Sequence, residues 1–160
     1  MTAIHPLNNS QLQSNVNAAS YTITNVVNPS SDQDVATKKY VDALGFVDRG
    51  DPATSDWVVG DLTADGNFYD LDCSGVVPAG AKSIIFRIMI KDNVAESYIQ
   101  MRKKGNSNTI VAPTVRAQAA GLMNDGFVII ACDVNRTVEY RALGDGALTT
   151  LSIIILGWFI

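Results

Sequence analysis

The sequence predicts a mainly β protein: an antiparallel β-sandwich, jelly-roll-like, preceded by a short N-terminal strand-helix segment. Three observations carry this. From about residue 56 the chain runs as short apolar segments divided by turn chemistry, at the spacing of roughly 8–12 residues that marks sandwiches and jelly rolls. Ser83 to Ile90 reads Ser-Ile-Ile-Phe-Arg-Ile-Met-Ile, β-branched and nearly continuous, as for a strand covered on both faces. No later segment has a convincing helical period, and Ala117-Gln118-Ala119-Ala120 is the one patch where a helical turn would fit.

Taken in order, residues 1–20 are rich in Asn, Gln and Ser, with scattered Ile4, Leu7, Leu12 and Val16 and no sustained period. Such a segment is expected to be an extended arm that gains order from a partner chain. Tyr21, Ile23 and the Val26-Val27 pair point to a short strand, which Asn28-Pro29-Ser30-Ser31 breaks. Ser31 then suits a helix N-cap, with Asp34 three residues on and Asp32 favourably placed against the helix dipole.

Ala36, Tyr40, Ala43 and Leu44 share one face of a helix over about 32–44, and Gly45 suits its C-cap. A helix this short depends on packing, so its stripe covers either the following domain or copies of itself around a symmetry axis. Val47 to Thr54 has the turn chemistry of a linker. The domain plan is therefore an attachment arm (1–20), a strand-helix oligomerisation unit (21–50) and a β-sandwich (51–160).

Within the sandwich, strands are expected near 56–62, 67–72, 82–91, 95–103, 109–116, 126–132, 136–142 and 148–158. The separators include Asp65-Gly66, Pro78-Ala79-Gly80, Asp92-Asn93, Gly105-Asn106 and Asn124-Asp125-Gly126. Leu151 to Ile160 is the longest apolar run, about half the ~20 residues that a membrane span requires, and reads as a buried strand.

Composition narrows the function. With 47% hydrophobic residues among 160, the chain can bury a real core. A net charge of -4 argues against a nucleic-acid-binding role, which usually needs a basic face. No basic start or apolar run follows Met1, so no secretory signal is expected, and synthesis is expected in a cytoplasm. Cys73 and Cys132 are too few for a metal site and, in a reducing compartment, are expected as buried small apolar residues.

The residues offer little catalytic chemistry. His5 is the sole histidine, in the low-complexity start, and there is no GxSxG, Walker loop or HExxH. Asp61, Asp65, Asp70 and Asp72 lie close in sequence, but at strand ends where Asp normally serves turns; Glu96 and Glu139 read as solvated strand positions. Asp61, Thr63, Asp65, Gly66 and Asp72 partly mimic a calcium loop, although a hairpin turning at Asp65-Gly66 accounts for the same residues more simply. The expectation is a non-enzyme with neither cofactor nor metal.

A binding role has more to draw on. Arg102, Lys103, Lys104, Asn106 and Asn108 form the one concentrated basic, polar turn, either a solvated hairpin loop or a contact for anionic surface sugars. Trp57, Phe68, Tyr69 and Tyr98 are either core or sugar-stacking platforms. The closing Trp158-Phe159-Ile160 needs burial in the sandwich or against a neighbouring subunit.

One segment adds a family resemblance. Ile23-Thr-Asn-Val-Val-Asn-Pro-Ser-Ser-Asp-Gln-Asp-Val-Ala-Thr-Lys-Lys-Tyr-Val-Asp42 resembles a unit of tailed-bacteriophage tail-fibre and related virion proteins, in which an I-x-N-V-x-x-P strand leads into a D-x-A-T-K-x-Y-V-D helix. It matches at Ile23, Asn25, Val26, Pro29, Asp34, Ala36, Thr37, Lys38, Tyr40, Val41 and Asp42, about an eighth of the chain. Fibres usually repeat this unit, and here it occurs once. The remainder resembles the β-rich distal domains attached to such fibres, with Val77-Pro-Ala-Gly-Ala-Lys82 and Gly157-Trp158 among the cues.

The resemblance implies a homotrimer with the helical unit near its three-fold axis, and no catalytic residues. The expectation is thus a virion structural protein, a short tail-fibre or receptor-binding component. Its partners would be other virion proteins through the arm and a host-surface glycan, without membrane insertion. The rivals are a head-decoration or connector protein without receptor binding, a carbohydrate-binding module and a depolymerase.

Overall fold

The computed structural model describes Ser30, residues 45–144 and residues 148–160. The chain divides into units 1–42 and 43–160. The expected arm, the Tyr21–Val27 strand and the helix with its Ala36, Tyr40, Ala43 and Leu44 stripe all lie outside the described residues, so the fold below is that of the second unit.

Among the described residues the strands are β1 (Phe46–Asp48), β2 (Trp57–Val58), β3 (Asp65–Asp72), β4 (Ser83–Lys91), β5 (Tyr98–Lys103), β6 (Thr114–Arg116), β7 (Asn124–Ala131), β8 (Thr137–Leu143) and β9 (Thr150–Phe159). They form two antiparallel sheets, ordered β1-β9-β4-β7 and β3-β8-β5-β6, with β2 also on β9. The pairings nest: β1 and β2 with β9, β3 with β8, β4 with β7, and β5 with β6. This is one long antiparallel hairpin, rolled so that β4 also meets β9 and β5 also meets β8. That arrangement is a jelly roll, the β-sandwich expected from the sequence.

The core lies between the sheets. β4 alternates strictly, burying Ile84, Phe86, Ile88 and Ile90 while Ile85, Arg87 and Met89 stay partly exposed. Ile153 and Ile155 of β9, Ile99 and Met101 of β5 and Val138 of β8 complete its fully buried centre. Each such side chain contributes about 1.5–3 kcal/mol by leaving water. The expectation that Ser83–Ile90 is covered on both faces is therefore corrected. Its outward Ile and Met are apolar in type, but no layer of the described residues covers them.

The N-terminal edge departs further from expectation. Phe46–Asp48, assigned to the strand-helix unit and linker, instead pairs with Gly157–Phe159 as β1. β2 pairs with Ser152 and Ile153, leaving a gap along β9 between the two short strands. Arg49 and Asp56 fill it. Arg49 N–H donates to Leu156 O (3.0 Å), and Asp56 N–H to Ile153 O (2.9 Å). Arg49 Nη1 donates to Ile155 O (3.1 Å) and to Asp56 Oδ2, which also accepts Ile155 N–H (2.8 Å). The ladder partners that a strand would supply come here from one ion pair and two loop amides.

Three local expectations also change. Asp65-Gly66 is no hairpin turn: it opens β3, which pairs with β8 through a bulge between Asp65 and Phe68, with Gly66 at φ +83°. The strand expected at 109–116 is a 3-10 turn (Thr109–Val111) and then β6 alone, because Pro113 has no N–H for the ladder; Ile110 is 93% exposed. The strand expected at 56–62 ends at Val58 in a 3-10 turn, where Asp61 accepts Val58 N–H (2.9 Å). At Ala117–Ala120 there is no helix: Ala117 bonds to the Ser97 and Glu96 backbone, and a turn over 119–122 is closed by Leu122 N–H on Ala119 O (3.3 Å).

Cys73 and Cys132 are buried and unpaired, as expected. Burial pushes the Cys73 thiol up to about 12 and the Cys132 thiol upward as well. No helix among the described residues is long and apolar enough to cross a membrane.

Candidate functional site

The outer face of the β3-β8-β5-β6 sheet carries most of the chemistry. Alternation sends every second residue outward, and register aligns these residues in rungs. One rung is Leu143, Tyr98 and Arg116; the next is Phe68, Arg141, Gln100 and Thr114; the third is Asp70, Glu139 and Arg102. Aromatic rings and guanidinium groups therefore interleave across the strands.

The contacts follow that grid. The Arg102 guanidinium carbon lies 3.6 Å from the Phe68 ring centroid, and that of Arg141 lies 4.9 Å from Phe68 and 5.6 Å from Tyr98. Arg116 stands 5.8 Å from Tyr98 on its other side. These separations are within the ~6 Å over which a ring quadrupole attracts a cation.

Partners differ sharply among the cations. Arg102 Nε donates to Glu139 Oε2 (2.6 Å) and its Nη1 to Ser107 O (3.2 Å), while Glu139 Oε1 accepts Gly105 N–H (3.3 Å). Lys104 Nζ pairs with Asp70 (2.5 Å), a bond that raises the Lys104 pKa. Arg116 pairs with Glu96, which sits at φ +79° in the turn before β5. Arg141 alone among these paired cations has no carboxylate partner among the described residues: its Nε (3.0 Å) and Nη2 donate to Gln100 Oε1, and Gln100 Nε2 donates to Thr114 Oγ1 (2.9 Å). Among the described residues it faces two aromatic rings and an amide oxygen and no carboxylate.

A hollow of about 310 Å³ lies beside the Lys104 turn, lined by Gly105, Asn106, Ser107, Asn108 and Val111. Another of about 310 Å³ lies beside the Tyr98 rung, lined by Ala95, Glu96, Ser97 and Leu143.

The basic turn expected as a contact loop is thus divided. Arg102 belongs to β5 and is held by Glu139, which is largely buried and not the solvated strand position expected. Lys104 is held by Asp70; Lys103 is exposed but alternates off the face; Asn106 and Asn108 line the first hollow. Of the expected aromatic platforms, Phe68 and Tyr98 lie on the face. Trp57 and Tyr69 pack against the core, with Tyr69 5.9 Å from Tyr140. The acids of the calcium-like run serve local groups: Asp65 accepts Asn67 N–H (2.9 Å) and Tyr69 O–H (2.7 Å), and Asp72 accepts Ser74 N–H (2.8 Å). These bonds hold both carboxyls below their usual range, the Tyr69 hydroxyl having the largest effect on Asp65 and the Ser74 amide on Asp72.

Sequence reasoning missed Arg141 and Gln100 as members of the site. The signal was the alternation Tyr98-x-Gln100-x-Arg102 and Glu139-x-Arg141, which marks one polar face on each strand. Only the strand order brings the two faces together.

Comparison with protein-family models gives no match to the chain, and a search of curated proteins gives none either.

Proposed function

We propose that this chain is a virion structural protein of a tailed phage, a short tail-fibre or receptor-binding component. It assembles as a trimer, adheres to the host surface and has no catalytic role. The resemblance of Ile23–Asp42 to the tail-fibre unit supports the class, and the jelly roll that follows it suits a distal domain.

One observation carries the binding role: Arg141 stands between Phe68 and Tyr98 with, among the described residues, only a neutral amide as hydrogen-bond partner. A guanidinium recognises carboxylate or phosphate bidentately, and flanking rings offer apolar faces to a sugar. An acidic surface glycan, laid across the Phe68–Arg141–Gln100 rung toward the Asn106–Asn108 hollow, is the ligand this arrangement suits. Individually weak sites gain avidity in a trimer where receptors are dense.

A connector without a receptor site is the second reading. It is favoured by Arg102 and Lys104, whose charges Glu139 and Asp70 already satisfy. Titration of the full-length protein with acidic and neutral surface oligosaccharides separates the two. The expected result is binding of acidic glycans that weakens at least about tenfold in Arg141→Ala, the loss of one charge-assisted contact, and is unchanged in Lys103→Ala. No glycan binding, or full binding by Arg141→Ala, would turn the assignment toward the connector.

A further inference from the structure

The approach to β5 carries a residue that its own backbone disfavours. Glu96 N–H donates to Ala117 O (2.8 Å) and Ala117 N–H to Ser97 O (2.8 Å), so two residues before β5 oppose one after β6. This is the bonding pattern of a β-bulge whose first residue sits in the left-handed region, a position that glycine usually fills. Here it is glutamate, at φ +79°. Glycine would hold the same bulge without strain, and strain of this kind collects at ligand sites. The side chain supports no core: it is 71% exposed, and its ion pair with Arg116 is a surface pair of little worth. Stability does not account for a glutamate there.

Glu96 lines the hollow of about 310 Å³ together with Ala95, Ser97 and Leu143. Leu143 and Tyr98 form the rung next to that of Arg141 and Gln100, about 7 Å along the strands. Tyr98 links the two places, with the Arg141 guanidinium 5.6 Å from its ring and that of Arg116, the partner of Glu96, 5.8 Å from it. The hollow is thus the immediate neighbour of the Arg141 site on the same face.

We propose that Glu96 is the specificity residue of a second subsite, which takes a neutral, hydroxyl-bearing sugar unit next to the acidic unit at Arg141. The chemistry of the hollow selects that unit. Ala95 and Leu143 offer apolar walls to the C–H face of a ring. The Ser97 hydroxyl donates to Asp92, both residues being buried, which leaves Glu96 as the polar side chain facing a ligand. Arg116 occupies Glu96 Oε2 and cancels its charge, while Oε1 remains to accept from a hydroxyl. An ammonium or a second carboxylate would find no uncompensated opposite charge there. The inference rests on the glycan reading proposed above, and adds to it the kind of sugar that adjoins the acidic one.

NMR titration of the full-length protein with two probes tests it: a free hexuronic acid, and a tetrasaccharide in which hexuronic acid alternates with a neutral hexose. Wild type is expected to bind the tetrasaccharide at least about tenfold more tightly, as one charge-assisted hydrogen bond implies. Glu96→Gly is expected to lose that gain and keep its affinity for hexuronic acid. It should also melt no lower than wild type, because glycine suits the bulge. Asparagine tolerates the same conformation, so Glu96→Asn should lose the gain equally, which separates the lost carboxylate from a loosened backbone.

A gain retained by either variant overturns the inference. So does a Glu96→Gly protein that melts well below wild type, since Glu96 would then be a structural residue. A wild type that binds both probes equally overturns it and leaves the Arg141 site standing. A wild type that binds neither probe, or whose tetrasaccharide binding survives Arg141→Ala, overturns the glycan reading and this inference with it.

Discussion

At Gly157 the sheet has room for a hydrogen atom and little else. A Cβ added there would lie 2.4 Å from the Val47 carbonyl oxygen and 2.4 Å from Phe46 Cε2. The limit is space, since its backbone lies outside the left-handed region where glycine is favoured for conformational reasons. Gly126 offers a useful contrast: its nearest neighbour, at 2.7 Å, is a methyl of the Val115 side chain, which can shift more readily than backbone. Gly157→Ala is accordingly expected to cost about 1–3 kcal/mol, the usual range for overpacking, read from the denaturant midpoint. Adding Phe46→Ala should recover only part of that cost, because the Val47 carbonyl still blocks the methyl. An alanine variant as stable as wild type would mean that β1 does not dock on β9 this closely.

At the scale of elements, β9 shows what the sequence could and could not convey. Its apolar run from Leu151 marks a buried strand, and the neighbouring turns bracket β4, β7 and β8 to within a few residues, because alternation and turn chemistry are local properties. β1 was not legible in the same way. Phe46-Val47-Asp48 is too short to show a period and runs straight into Arg49-Gly50-Asp51-Pro52, and its strand state is decided by the open flank of a strand more than a hundred residues away. Arg49 and Asp56 likewise read as linker charges until that flank is seen. Asp56→Ala should therefore act as a core lesion, leaving the Ile155 N–H without its acceptor and Arg49 half-buried without its counter-charge. The expected cost is about 3 kcal/mol. Asp56→Asn should cost less, since an amide oxygen still accepts from Ile155. Equal, negligible losses in chemical denaturation of both variants would show that the clamp contributes nothing.

For the molecule as a whole, the two sheets present unlike outer faces, one a grid of arginine and aromatic groups, the other apolar across its width. The sequence revealed the jelly roll through its rhythm, but neither face, because each is assembled from strands that are distant in the chain. Phe68, Tyr98 and Arg141 become neighbours only through the β3-β8-β5 order, and Ile85, Phe127 and Ile154 only through β9-β4-β7. The same dependence fixes where the folded domain begins. A chain starting at residue 51, the boundary that turn chemistry suggests, would lack β1 and Arg49, open the ladder at Gly157–Phe159 and leave Asp56 without its counter-charge. A chain starting at residue 43 keeps all of these. The 43–160 fragment is therefore expected to melt cooperatively within about 3 °C of the full-length protein, whereas 51–160 should melt more than about 10 °C lower, as a loss near 3 kcal/mol implies for a domain of this size. Calorimetry of the two fragments at equal, low concentration keeps self-association from masking the difference. Identical melting would mean that β1 and the Arg49–Asp56 pair add no stability to the sandwich. A separation of this size would make β1 a structural part of the sandwich, whose fold then begins at Phe46 and not at residue 51.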